Sequence, residues 1–186
     1  RKTNMAGVPV TGSVLFPNCD AVVLDVYRDD ALFSSTTQRL GRATTDPTAF
    51  QFEPQIRAEL ACYDLEIVLI REGQRIVAKR IEDVVAGDVF IVQGQSNANS
   101  EGDEEDGFSN FNKSPFVRGF GIGCENNGDC YSKDEFYVWA SADGDKSPYA
   151  PLPGRIGQWP LRFGRTLSDA TGIPVAIING SFPVHP

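Results

Sequence analysis

Through the first half of the chain, apolar residues fall at alternate positions or in short unbroken runs. From Val8 to about Asp83 these runs are "VPVTGSVLF", "AVVLDVYRD", "AFQFEP", "CYDLEIVLI" and "QRIVAKRIED". "LDVYRD" and "LEIVLI" show the period of two, or the continuous apolar character, of strands with one or both faces covered. No ten-residue stretch in this half has a helical period. "REGQR", residues 71–75, is expected to form a tight hairpin with Gly73 at positive φ. The pattern predicts a small antiparallel β-sandwich over residues 1–84, acting as scaffold or spacer.

After residue 85 the pattern changes. "GDVFIVQG" is nearly continuous and apolar, as a parallel strand buried on both faces would be. "QWPLRFGRTLSDATG" predicts a helix, with Pro160 in its first turn, Phe163, Leu167 and Ala170 on one face, and Gly172 as its stop. "IPVAIING" is expected to be a second buried strand, completing a strand-helix-strand unit with a right-handed crossover. The long interval between the two strands holds strand-like pieces at "FVRGF" and "FYVWAS". Such excursions usually carry function or specificity. The organisation expected is therefore an immunoglobulin- or fibronectin-like β-sandwich over 1–84, followed by an α/β domain over 85–186.

Composition narrows the partners. Lys and Arg number 17 against 25 Asp and Glu, a net charge of -8, so the chain has no excess of positive charge to neutralise phosphates or anionic lipid. Nucleic acid is not an expected partner. No apolar run approaches the roughly 20 residues that cross a bilayer as a helix, and no signal peptide starts at Arg1. The start at Arg1 in place of Met points to a processed or excised chain.

Four cysteines occur. Cys124 and Cys130 bracket "ENNGD", whose turn-forming residues would let the two thiols meet in a disulfide. Cys19 and Cys62 each precede a strand-like run and are read as a second bridge or as two buried thiols. Zinc does not suit the spacing, since the chain has a single His. An even count with one short loop-closing pair suggests an oxidising, extracytoplasmic location: secreted, periplasmic or on the cell surface.

In "VFIVQGQSNANSEG", Ser96 follows a strand and a glycine, Gly94, that can take the conformation of a sharp turn. That would put the hydroxyl at the carboxyl end of the sheet, where open α/β folds bind ligands. A serine attacks an ester only with a base to take its proton and donors to hold the oxyanion. The turn supplies the serine and one backbone N–H but no base. Taken by itself, a serine at the end of a strand is structural more often than catalytic.

The stretch "GDVFIVQGQSNA" resembles the first block of the SGNH hydrolase superfamily, in the form used by sialate O-acetylesterases and related acetylxylan esterases. "GQWPLRFGRTLSDATGIPVAIINGS" is similar to a later helix and strand of the same family, and a β-sandwich ahead of the Gly-Asp strand also fits it. The resemblance implies a three-layer α/β fold, here incomplete, and removal of O-acetyl groups from a carbohydrate or sialic acid through an acyl-enzyme. It makes Ser96 the nucleophile and its N–H an oxyanion donor, with Gly94, Gln95 and Asn97 shaping and supporting the turn. The family's later blocks are not matched: no Gly-Gly follows Ser181, and Phe182 stands where an Asp would precede His185 by three residues. His185 is therefore read as incidental, and the base is expected on further chain or on a partner.

The remaining candidates carry less chemistry. Arg118, Gln158 and Asn179 are taken as candidates to line a substrate pocket. "SEGDEEDGFSN" and "SADGDKS" are acidic turns in which Asp103, Asp106, Asp143 and Asp145 are weak calcium candidates; the EF-hand spacing is not met. No cofactor is expected beyond a structural Ca²⁺. Trp139, Trp159, Tyr137 and Tyr149 could stack on a sugar, but aromatics at strand and helix starts usually belong to the core. The leading expectation is a serine carbohydrate esterase. Its rivals are a non-catalytic carbohydrate-binding or cell-surface assembly module that retains the turn, and a calcium-stabilised surface component.

Overall fold

The structure, a computed structural model, describes residues 4–41, 47–94, 110–122, 137–144 and 154–180. The chain divides into two units, Arg1–Ala86 and Gly87–Pro186.

The first unit is built from β1 (Met5–Gly7), β2 (Val10–Val14), β3 (Ala21–Arg28), β4 (Ala31–Arg39), β5 (Thr48–Phe52), β6 (Gln55–Arg57), β7 (Tyr63–Arg71) and β8 (Gln74–Val84). β4-β3-β7-β8 form a four-stranded antiparallel sheet, and β2 with β5 and β1 with β6 form two antiparallel pairs. Alternation along β3 and β7 sends Val22, Leu24, Val26, Tyr63, Leu65 and Leu69 to one face. There they meet Val10, Val14, Phe50, Phe52 and Ile56 in a single core. The hairpins close through two residues each, Asp29 and Asp30 (φ 46° and 66°) and Glu72 and Gly73 (φ 51° and 76°). Two successive positive φ values are the type I′ geometry, whose twist matches that of the flanking strands.

The same alternation sends Val23, Asp25 and Tyr27, with Asp64, Glu66 and Val68, to the opposite face. Asp25 is buried and accepts from Ser35 Oγ at 2.5 Å and from Arg75. To reach β3 from β8, Arg75 must cross β7, and Val68 beneath that path is buried. Arg80 donates to Asp64 at 2.7 Å and Glu66 at 3.2 Å, and the Tyr27 hydroxyl donates to Glu66 at 3.4 Å. Burial, with the Glu66 carboxylate second, raises the Tyr27 pKa. This face is thus covered by its own long charged side chains.

No bridge joins Cys19 to Cys62, and Cys19 is a buried thiol. The register explains this. β3 and β7 run antiparallel with Ala21 opposite Ile70 and Arg28 opposite Tyr63, so the two cysteines, each ahead of its strand, lie at opposite ends of the sheet. Seven residues of rise separate those ends by roughly 23 Å, well beyond disulfide reach. Cys124 and Cys130 lie outside the described residues.

The second unit contains β9 (Asp88–Val92), β10 (Val117–Ile122), β11 (Tyr137–Ser141), α1 (Gln158–Thr171) and β12 (Val175–Asn179). The sheet order is β11-β10-β12-β9, with β9, β12 and β10 parallel and β11 antiparallel to β10. α1 ends at Gly172, which takes the left-handed conformation and donates its N–H to Ser168 O at 2.9 Å. Its buried face is Pro160, Leu161, Gly164 and Ser168; of the expected Phe163, Leu167 and Ala170, Leu167 packs partly buried against this core, while Phe163 and Ala170 are exposed. A Cβ on Gly164 would come within 2.8 Å of Val117 Cγ1, so at that position the helix lies too close to the sheet for a side chain. Phe163 instead stacks edge-on against Phe90, at the flank, with centroids 5.4 Å apart.

The three-layer α/β architecture expected for residues 85–186 is not found. Strands make up 55 % of the described residues, several sheets are antiparallel, and α1 is the one helix among them, so the chain is mostly β. Among the described residues, this one helix covers one face of the sheet. On the face turned away from α1, Val89, Ile91 and Trp139 are 56 %, 73 % and 50 % exposed.

Candidate functional site

The Gly-Asp lead-in to β9 has a structural cause. A Cβ on Gly87 would run into the carbonyl of Pro174, and the Asp88 N–H donates to that same carbonyl at 3.0 Å. Only glycine allows β9 and β12 to start side by side in this way. From there the register runs from Asp88 opposite Val175 to Val92 opposite Asn179. Both strands therefore end together, and the Gly180 N–H donates to Val92 O at 2.9 Å. Gly94 follows two residues beyond this tie. Gln95, Ser96 and Asn97 lie outside the described residues, as do His185 and the calcium candidates Asp103, Asp106 and Asp145.

The amino end of α1 is brought to the same end of the sheet. Asn179 Nδ2 donates to Ile156 O at 2.8 Å, tying the last residue of β12 to the chain that leads into the helix. Gly157 is the N-cap, with no side-chain cap bond and no acidic residue in the first turn. The first N–H groups of α1 and its positive dipole end thus lie beside Asn179, with no acidic residue in the helix's own first turn, and a helix start of this kind favours a negative charge. Gln158 opens the helix half-buried, and Trp159 beside it is 46 % exposed.

Of the residues singled out from the sequence, Gly94, Gln158 and Asn179 therefore share one end of the sheet. Arg118 stands apart from them. It pairs with Ala176, level with Val89 and three positions short of Asn179, roughly 10 Å back along the strands. Alternation also turns it to the face away from α1, since its neighbour Val117 is in the core beneath the helix.

Asp143 holds the chain ahead of α1. Its carbonyl accepts from the N–H groups of Ile156 (2.9 Å) and Gly157 (3.3 Å), and its N–H donates to Gly154 O at 2.8 Å. Its carboxylate, largely buried, pairs with Lys113 Nζ at 2.7 Å. An ammonium already neutralises this candidate calcium ligand, and among the described residues no three acidic, His or Cys side chains gather as a metal site. Asn110 adds a further tie, accepting from the Gly144 N–H at 2.9 Å. Lys113 and Asn110 carry no sequence signal of this role, because their partner lies some thirty residues on.

No protein family matches the chain, and no curated protein matches it in sequence. Solved structures do match, and one is described as a novel carbohydrate acetylesterase from Xanthomonas citri. The fold is shared with that esterase. The TM-score is 0.52 at 19 % identity, over 95 % of this chain and 37 % of the other. The chain thus spans about 37 % of the length of that solved protein. At this identity the likeness concerns fold alone. It does not extend to the sialate O-acetylesterases, for which the sequence motifs give a resemblance alone.

Proposed function

We propose that the chain is part of a carbohydrate esterase that uses Ser96 as its nucleophile. The observation that supports this reading is the convergence at one sheet end: β9 leads to Gly94, two residues ahead of Ser96 in the sequence, at the end of the sheet that also holds Asn179 and the amino end of α1. The shared fold with a carbohydrate acetylesterase supports the substrate class. The Ser96 hydroxyl attacks the ester carbonyl carbon while a base accepts its proton. The resulting oxyanion is stabilised by backbone N–H groups, with the positive end of α1 adding to the field. Collapse breaks the bond to the sugar oxygen, which leaves with a proton as the free hydroxyl. Water then attacks the acyl-serine and releases the acid. Acetyl is the acyl group proposed.

The test is chemical. The full-length protein is expected to be labelled by a fluorophosphonate and to release acetate from an O-acetylated sugar, with both lost in Ser96→Ala. Glycan binding with no labelling of the wild type would overturn the enzyme in favour of a binding module.

A further inference from the structure

We propose that Asn179 is a positioning residue whose side-chain amide clamps the lead-in of α1 to the end of β12 and so sets the geometry of the site. Its effect on catalysis rests on the esterase reading above.

Ile156 is almost fully buried, and its carbonyl lies one residue ahead of the N-cap, where helix bonding does not reach; the first helix bond runs from the Leu161 N–H to Gly157 O. A buried carbonyl without a donor costs roughly 1–3 kcal/mol. Asn179 Nδ2 supplies the donor at 2.8 Å. Residues 175, 177 and 179 alternate toward α1, so the side chain faces the carbonyl from the strand itself, and no loop intervenes. One position later, the Gly180 N–H holds Val92 O at 2.9 Å. Two adjacent residues thus fasten the end of β12 on both sides: Asn179 to the helix lead-in, and Gly180 to the strand from which Gly94 emerges. A residue that merely contacted substrate would not need its amide on a buried backbone carbonyl. A displacement of about 1 Å at such a junction can cost on the order of a hundredfold in rate.

The test uses the full-length protein with Asn179→Asp, which keeps the shape and removes the donor, and with Asn179→Ala. Activity on p-nitrophenyl acetate is measured together with hydrogen exchange of the peptide spanning residues 154–160. Both variants are expected to fold, to exchange that peptide several-fold faster, and to lose about tenfold or more in kcat with KM within about twofold. A raised KM at unchanged kcat would make Asn179 a substrate contact and overturn the proposal. Unchanged kcat, KM and exchange in folded Asn179→Asp would overturn it as well. A wild-type protein without activity would instead defeat the esterase reading, and the exchange rates alone would then decide the clamp.

Discussion

Each unit has a four-stranded sheet with one face in a core, and the two differ in what lies on the other face. On β4-β3-β7-β8 that face buries Val23 and Val68 at 4 % and 1 % exposure, beneath Arg75, Arg80 and their carboxylate partners. On β11-β10-β12-β9 it leaves Ile91 and Val89 at 73 % and 56 %, with Trp139 half exposed against Phe120. An antiparallel sheet can face water when long charged side chains roof its apolar positions. The parallel strands of the second unit have apolar residues on both faces and, among the described residues, one helix to cover them. Its order comes instead from close backbone fit, at Gly87 against Pro174 and at Gly180 against Val92. Charge closes the first sheet, and shape closes the second.

Arg75→Ala attacks the first mode. It leaves Asp25 buried with Ser35 alone and uncovers Val68. A loss of roughly 2–3 kcal/mol is expected by urea unfolding, at the low end for a buried pair because Arg75 itself is 56 % exposed. If the loss is under about 0.5 kcal/mol, the roof is ornamental and the contrast fails. Gly87→Ala attacks the second mode by driving a methyl into the Pro174 carbonyl. Roughly 1–3 kcal/mol should disappear, with hydrogen exchange rising along β9 and β12 while β3 and β7 stay protected.

The acid response sharpens the comparison further. Glu59 accepts from Arg28 Nε and from the Tyr63 hydroxyl, each at 2.8 Å, and the Arg28 bond first, then the Tyr63 bond, lowers its pKa. A lowered folded pKa means that the stabilisation is fully present above the ordinary carboxylate pKa of about 4.3 and is lost as the pH falls through the folded value. Wild type should therefore exceed Glu59→Gln by roughly 1–2 kcal/mol at neutral pH. Thermal melts should show the gap closing below about pH 4; a gap that persists in acid would remove the charge from the explanation. The smallest effect is reserved for the open face. Ile91→Ser is expected to change stability by less than about 0.5 kcal/mol, and a markedly larger loss would mean that this face is covered in the folded protein.

Much of the first unit could be read from its residues. Alternation in "AVVLDVY" and "CYDLEIVLI" marks β3 and β7, and Glu72-Gly73 marks the turn after β7, because strand period and positive φ are local properties. The span of α1 was legible for the same reason, from Pro160 to Gly172. Its buried face was legible only in part: Leu167 packs on the core as expected, but Gly164 and Ser168 do not look apolar, and at Gly164 the helix approaches Val117 too closely for a larger side chain. The three-layer expectation failed for a related reason. It came from a resemblance in two short blocks, whereas the number of layers depends on the helices packed on the sheet, of which the described residues supply one.

For the candidate site, the sequence by itself determined the turn chemistry after β9, with Gly94 ahead of Ser96, and the Asn that ends β12. It also determined the excess of acidic over basic residues, 25 against 17. Only the tertiary structure decided that Gly94, Asn179 and the amino end of α1 share one end of the sheet, that Arg118 stands back from them, that Cys19 and Cys62 lie at opposite sheet ends, and that Asp143 holds a lysine. Each of these depends on strand register and helix placement between segments far apart in the chain. Local residue pattern fixes the elements, but the contacts that pair distant elements depend on the balance of packing around them.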